Sequence, residues 1–402
     1  MKILGIDTSC DETSISIVEI RGKNFQIKKI KILANIISSQ VKIHKKYGGV
    51  FPFLAKREHQ KNLIPVFKEA LKESFLLETK GKKITEKESE ILKKIFKKDE
   101  ELSKNFLKFL ENYWFKKIDL IGITIGPGLE PCLWTGINFA KAISFLGKIK
   151  ITPVNHIKAH IYANWLENKE ILKEKNLFPA IALVVSGGHT ELILMKDFNK
   201  LKILGQTRDD AAGECFDKVA RILGLPYPGG PEIEKMAKKF ELSNLKEKKL
   251  SQDYSLKLNF SLPRPMIYHK NYDFSFSGLK TALFYKIKEN PKLKNKKYLP
   301  IICFEVQQAI IDVLISKTIK AAKEFGANSI ILGGGVAANE KLKRDFKLKI
   351  EKELPKAKFF SPLPIFCTDN GAMVALAAFF DLPFKKTKKY DKIIANPNLK
   401  IC

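Results

Sequence analysis

Apolar and polar positions recur along this chain with two periods. Lys2 to Ile20 opens with an apolar run, Ile3 to Ile6, and breaks at a polar turn from Asp7 to Thr13. It then alternates polar and apolar from Ser14 to Ile20, as a half-buried strand does. Ala180 to Met195 repeats the plan, with a strand from Ala180 to Val185, a small-residue turn at Ser186-Gly187-Gly188, and a second strand through Ile193. Two such strand–turn–strand units, one in each half of the chain, predict a duplicated domain with two lobes facing a cleft.

Elsewhere the helical period dominates. Lys56 to Glu73 reads as an amphipathic helix, Ile118 to Ile125 as a buried strand closed by Gly126-Pro127-Gly128, and Asn138 to Leu146 as a helix. In the second half, Asp210 to Leu223, Glu232 to Phe240, Phe304 to Phe325 and Asn339 to Lys349 carry helical patterns. Gly224 to Pro231 is a rigid loop, Ser243 to Met266 is polar and irregular, and Ser329 to Leu332 is a strand running into Gly333-Gly334-Gly335. Ala372 to Phe380 reads as a buried helix behind a polar turn. Strands alternating with helices predict an α/β fold.

Glu78 to Lys117 departs from this rhythm. It is rich in Lys and Glu, with Ile91, Ile95, Phe96, Leu102, Phe106, Phe109, Leu110 and Tyr113 at helical spacing. One or two charged helices inserted before the strand at Ile118 are expected. Such charge ordinarily marks a solvated face, and a partner or RNA contact is the sharper alternative.

The chain of 402 residues, 45% hydrophobic and 10% aromatic, can bury a sizeable core, which excludes a disordered protein. No signal peptide is expected after Met1-Lys2, and no apolar run approaches the roughly 18 residues that span a bilayer, so no membrane role is expected. Cys10, Cys132, Cys215, Cys303, Cys367 and Cys402 form no C-x-x-C pair, which suits a reducing cytoplasm. The formal charge of +29 invites nucleic acid. Since all but six of the 72 basic residues are lysine, the charge gains meaning only beside a motif.

Three groups of residues can carry chemistry. The turns Ser186 to Thr190 and Gly333 to Asn339 each follow a strand, and glycines there let backbone N–H groups approach an oxyanion or a nucleotide. Neither is a Walker A loop or a G-x-G-x-x-G turn. Asp7, Asp11 and Glu12 in the first turn can hold a cation through water, take a proton or bind a hydroxyl, and Asp217 on its helix can bond a ribose. His156 and His160, four apart after Asn155, share one helix face at a spacing that grips a metal. Asp369, in the polar turn ahead of a buried helix, is the best candidate for a third ligand. Two imidazoles and a carboxylate leave open positions, the pattern of a catalytic site. His44, His59, His189 and His269 read as ordinary. A zinc peptidase is argued against, since Ile157, Lys158 and Ala159 supply no general base between the histidines.

Taken in order, the motifs resemble one family. They are GIDTSCDETS (Gly5 to Ser14), SSQVKIHKKYGG (Ser38 to Gly49), GPGL (Gly126 to Leu129), PVNHIKAH (Pro153 to His160) and VSGGHT (Val185 to Thr190). They continue as DDAAGECFDKVARILGLPYPGGP (Asp209 to Pro231), FSFSGLKTA (Phe274 to Ala282), GGGVAAN and CTDNGAM. The chain resembles the TsaD family of tRNA N6-adenosine threonylcarbamoyltransferases, and SCDET resembles its bacterial and mitochondrial branch. The resemblance implies the two-lobed, actin-like and sugar-kinase-like ATPase fold of duplicated RNase-H-like domains. The expected division is an N-terminal lobe at 1–150, including the insertion at 78–117, and a C-terminal lobe at 151–402 whose extreme C-terminus packs back on the first.

The activity implied is acyl transfer. A threonylcarbamoyl group passes from threonylcarbamoyl-AMP to the N6 amine of the tRNA adenosine just 3′ of the anticodon, in ANN-decoding tRNAs, giving t6A. By motif, the resemblance implies His156, His160 and Asp369 as metal ligands, with iron the expected divalent ion and zinc or magnesium as alternatives. It implies Val184, Val185, Ser186, Gly187, Gly188, Asp217, Gly230 and Asn339 as the adenylate site. Asp11 and Glu12 are the candidates for the catalytic base. The implied partners are tRNA and proteins of the TsaB and TsaE types, in the cytoplasm. Two departures stand out. Where the family has VPELASR this chain has FPFLAKR (Phe51 to Arg57), and Asn155 replaces a His. An ATP-using kinase or ATPase of the same fold, or a nucleotide-binding scaffold in a tRNA-modifying complex, remains the alternative, because fold does not fix function.

Overall fold

The computed structural model describes residues 1–23, 26–246, 260–383 and 388–401. Its contacts divide the chain into two compact units, Met1–Glu174 with Pro362–Cys402, and Lys175–Ser361.

The first unit is built on strands β1 (Lys2–Asp7), β2 (Glu12–Lys23) and β3 (Gln26–Ser39). A small ladder of β4 (Leu77–Glu78) and β5 (Trp114–Phe115) follows, then β6 (Leu120–Gly126) and β7 (Lys150–Asn155). The main sheet runs β3-β2-β1-β6-β7. Its first three strands pair antiparallel and its last two join in parallel. Central β1 is apolar on both faces because both are covered. Leu4 and Ile6 enter a core with Leu63, Phe67, Ile137 and Phe139 from helices Pro52–Glu73 and Glu130–Gly147. On the other face lies helix Gly371–Asp381, whose buried apolar surface needs close approach. Gly5 and Gly122 provide it: a Cβ at Gly5 would stand 1.9 Å from the Gly371 carbonyl oxygen, and one at Gly122 2.7 Å from the Ala378 Cβ.

The second unit repeats the plan with β8 (Ala180–Val185), β9 (Thr190–Met195), β10 (Leu201–Gln206), β11 (Ser329–Gly333) and β12 (Lys358–Phe360). Its sheet runs β10-β9-β8-β11-β12, again antiparallel then parallel. Strand for strand this is the topology of the first sheet, the duplication expected of the actin-like, sugar-kinase-like ATPase class. The position 150/151, expected as the lobe boundary, falls inside β7, which pairs with β6. Helix Gly371–Asp381 returns from the end of the chain onto β1, β6 and β7.

The charged stretch forms two helices, Glu86–Ile95 and Glu100–Asn112. Thr85 and Glu88 cap the first reciprocally. They are not solvated all round. Leu92, Phe96, Leu102, Phe106, Phe109 and Leu110 are buried in the core of the first unit. Asp99 between the helices is also buried, accepting from Gln60 Nε2 at 2.6 Å and Asn138 Nδ2 at 2.7 Å.

Helix Leu299–Glu324 is long and apolar enough by length and composition to cross a membrane. It corresponds to the helix expected from Phe304 to Phe325, and Glu305, Asp312 and Lys317 interrupt its apolar run. It packs on helix Gly229–Lys246, and Lys317 Nζ donates to the carbonyls of His269 and Asn271. Most of the irregular stretch expected from Ser243 to Met266 lies outside the described residues.

A candidate metal centre and a glycine-lined face

His156 follows β7 directly and starts helix His156–Tyr162. The helix begins there because Asn155 caps it, its Oδ1 accepting from Lys158 N at 3.0 Å. One turn later His160 lies on the same face, with the two Nε2 atoms 3.2 Å apart. Asp369 precedes Asn370, the cap of helix Gly371–Asp381, which accepts from Met373 N at 2.9 Å. Gly371 N donates to Ser14 Oγ at 2.8 Å and ties that helix start to β2. Asp369 Oδ1 thereby stands 3.4 Å from His156 Nε2 and 3.1 Å from His160 Nε2.

These separations test whether an ion fits. Ligand bonds of about 2.1 Å place neighbouring donors about 3.0 Å apart at right angles and about 3.4 Å apart in a tetrahedron. The three observed distances span that range, so the donors suit one ion. The imidazoles are buried and Asp369 is less so, its side chain 17% exposed, so a substrate would reach an ion held there from the Asp369 side. Burial alone pushes the His156 imidazole down, but the charges of Asp369 and Asp7 override it and raise it to about 9. Burial raises Asp369, and the His156 and His160 rings outweigh that and hold it well below the usual carboxylate range. Burial and the neighbouring His156 push His160 down.

Asp7 orients this cluster from behind. It is fully buried, accepts from Ser9 N and Thr124 Oγ1 at 2.8 Å each, and lies 3.2 Å from His156 Nδ1. A carboxylate on Nδ1 leaves Nε2 free to bind a metal. Sequence reasoning had placed Asp7 among possible cation or proton groups without assigning it this role. It had missed Ser9, whose Oγ lies 3.3 Å from His156 Nδ1 and donates to Asp369 Oδ2 at 3.4 Å.

The acidic turn lies between β1 and β2. Asp11 is buried and Glu12 half-buried. Glu12 accepts from Ser39 Oγ at 3.1 Å. Burial raises the Glu12 carboxyl well above its ordinary value, and the charges of Asp11 and Asp369 raise it further. Its affinity for protons is therefore raised. His59, which read as ordinary, braces the turn. Its Nε2 lies 3.0 Å from the Cys10 carbonyl oxygen and its Nδ1 2.8 Å from Thr13 Oγ1.

The expected adenylate residues all belong to the second unit. Val184 and Val185 end β8, and Ser186-Gly187-Gly188 turn beyond it. β11 lies parallel beside β8, so both glycine turns leave the carboxyl ends of the strands, the end at which α/β folds bind ligands. Two glycines press the backbone together there. A Cβ at Gly334, where φ is +87°, would stand 2.3 Å from the Val185 carbonyl oxygen, and one at Gly213 2.5 Å from that of Ser186. By contrast, Gly187, Gly188 and Gly335 face open space. Asp217, on helix Ala212–Ile222, accepts from Gly229 N at 2.6 Å, fixing the start of helix Gly229–Lys246, which carries Gly230. Asn339 caps helix Glu340–Glu353 and donates to Gln307 Oε1 at 2.8 Å.

The family whose sequence profile matches this chain is TsaD, tRNA N6-adenosine threonylcarbamoyltransferase, over residues 31–84 and 102–376. Helix Glu86–Ile95 falls in the unmatched interval. A tRNA N6-adenosine threonylcarbamoyltransferase of Thermosipho africanus is 41% identical over 403 residues, covering 100% of both chains. One of Persephonella marina is 41% identical and covers 94% of this chain and 90% of its own. One of Bacillus subtilis is 38% identical, covering 94% and 89%. Among solved structures, full-length HypF in its phosphate- and nucleotide-bound form has a TM-score of 0.48 at 13% identity, covering 96% of this chain and 47% of that one.

Proposed function

The chain belongs to the TsaD family, tRNA N6-adenosine threonylcarbamoyltransferase, and from that premise we propose how its residues carry the transfer. It is a transferase that modifies tRNA. The donor is threonylcarbamoyl-AMP, and the acceptor is the N6 amine of the adenosine next to the anticodon in ANN-decoding tRNAs. Val184 to Gly188, Asp217, Gly230 and Asn339 hold the adenylate on the glycine-lined face. His156, His160 and Asp369 hold a divalent ion, and two imidazole donors favour iron or zinc over magnesium. When bound, that ion supplies Lewis acidity to the threonylcarbamoyl group.

The N6 nitrogen attacks the carbamoyl carbon, the bond from that carbon to the adenylate phosphate oxygen breaks, and AMP leaves with its electron pair. The amine proton passes to Glu12, with Asp11 beside it, because burial and the neighbouring carboxylates strengthen Glu12 as a proton acceptor. Adenylate is a good leaving group, so positioning and charge stabilisation carry most of the acceleration. The enzyme works in the cytoplasm with partners of the TsaB and TsaE types.

The observation that carries this reading is the set of three ligand-atom separations, 3.1 to 3.4 Å, among His156, His160 and Asp369. The experiment incubates purified protein with threonylcarbamoyl-AMP and an ANN-decoding tRNA, reads nucleosides by mass spectrometry, and measures bound metal. Wild type should form threonylcarbamoyladenosine and retain metal, and His156→Ala and Asp369→Ala should lose both. Steady ATP turnover with no modified nucleoside, even with partner proteins added, would sink the reading.

A further inference from the structure

We propose that Tyr47, Phe51 and Phe53 form a stacking platform for unpaired bases of the tRNA loop that carries the target adenosine, a proposal that rests on the tRNA reading above. The three side chains stand in the first unit, 64%, 56% and 71% exposed. The Tyr47 and Phe51 rings lie 6.2 Å apart, tilted by 31°. Large rings held in water mark a surface that another molecule covers.

The strap that carries them is fixed from within. A short turn, Lys45–Tyr47, ends at Gly48, where φ is +66°. Phe51 N donates to the buried His44 Nδ1 at 3.4 Å, and Pro52 opens the helix that Phe53 belongs to. The backbone that carries the rings is therefore set before any partner arrives, which lowers the entropy cost of binding.

Charge identifies the partner. Lys42, Lys45, Lys46 and Arg57 are exposed along the same stretch, and none makes an ion pair among the described residues. Glu58, the one carboxylate between positions 40 and 60, is engaged with Lys61 at 2.7 Å. Exposed rings bordered by uncompensated cations match single-stranded RNA, whose bases stack on the rings while its phosphates meet the cations. An apolar protein surface would satisfy the rings and leave the cations unmatched.

Position supports the same partner. The strap begins at the acidic turn, where Gln40 N donates to the Asp11 carbonyl oxygen at 3.0 Å and Ser39 Oγ donates to Glu12. The rings are thus carried by the segment that leaves the turn bearing Glu12. The FPFLAKR departure falls here, with Phe53 in place of the family's Glu. An acid at that position would repel phosphate, and a ring stacks.

The test titrates the full chain into an anticodon stem-loop RNA carrying 2-aminopurine in its loop. Wild type is compared with Tyr47→Leu, Phe51→Leu and Phe53→Leu, singly and combined. Leucine stays apolar and removes the π face. Wild type should quench the fluorophore, and the triple variant should bind about tenfold or more weaker with an unchanged melting temperature. Lys45→Glu with Lys46→Glu should weaken binding and reduce its salt dependence. Equal affinity and quenching by wild type and the triple variant would overturn the platform and leave the tRNA reading standing. No RNA binding by wild type, together with no tRNA modification, would overturn both.

Discussion

Lys158 Nζ lies 2.5 Å from Asp381 Oδ1, and both side chains are buried. The pair joins the helix that bears His156 and His160 to the far end of the helix that follows Asp369. Removing one partner of a buried pair leaves an uncompensated charge, which costs about 3–5 kcal/mol. Lys158→Met should therefore lose stability of that order in urea unfolding. The double variant Lys158→Met/Asp381→Leu should recover most of it. A double variant no more stable than the single one would mean that packing, and not charge, holds the two helices.

The contact of Asp7 with His156 Nδ1 predicts a loss of metal affinity without loss of a ligand. Asp7→Asn should weaken binding by about 10–100-fold in chelator competition. Ser9→Ala, which removes a 3.4 Å hydrogen bond to Asp369, should have the smaller effect. Equal affinity of Asp7→Asn and wild type would show that His156 needs no support from behind.

His59 predicts acid sensitivity in a defined window. Burial lowers its imidazole from 6.5 to about 4. Between those values the unfolded chain binds a proton that the folded chain does not, so stability rises with pH there and is lost as pH falls toward 4. A shift of this size corresponds to at most about 3 kcal/mol. Denaturant midpoints measured from pH 7 to pH 4 should fall less steeply in His59→Gln than in wild type. Parallel slopes would place the acid sensitivity elsewhere.

At Gly334, with φ at +87° and a Cβ that would meet the Val185 carbonyl at 2.3 Å, alanine should displace the turn after β11. Gly334→Ala should weaken binding of a non-hydrolysable threonylcarbamoyl-AMP analogue, read by calorimetry, and leave metal content unchanged. Gly335→Ala, which faces open space, should bind the analogue as wild type does unless the ligand itself fills that space.

Much of this was legible in the chain because the signals are local. Apolar runs broken by a polar or small-residue turn, at Ile3 to Ile20 and Ala180 to Ile193, marked the two hairpins. Asn155 gave the cap that aligns the two histidines. The small-residue turns gave the glycine face. What escaped depends on contacts distant in sequence. Periodicity shows that Ala372 to Phe380 is a buried helix but not which sheet buries it, and the resemblance brought only the extreme C-terminus back to the first lobe, not this helix onto β1. Asp7 touches His156 only because β1 and β7 flank β6. The inserted helices read as a solvated face because charge dominates their composition, while their rings turn inward, Phe109 packing on Phe67 and Phe106 on Phe139.

The two glycines beneath helix Gly371–Asp381 bear on more than packing. They set the height at which that helix rides over the sheet, and Asp369 sits at its leading end. A single methyl group at position 5, on the floor of the sheet, would lift the helix and carry the carboxylate away from two imidazoles anchored to a different strand. The spacing of the three donor atoms is thus gauged by a residue that touches none of them, and through the absence of its side chain.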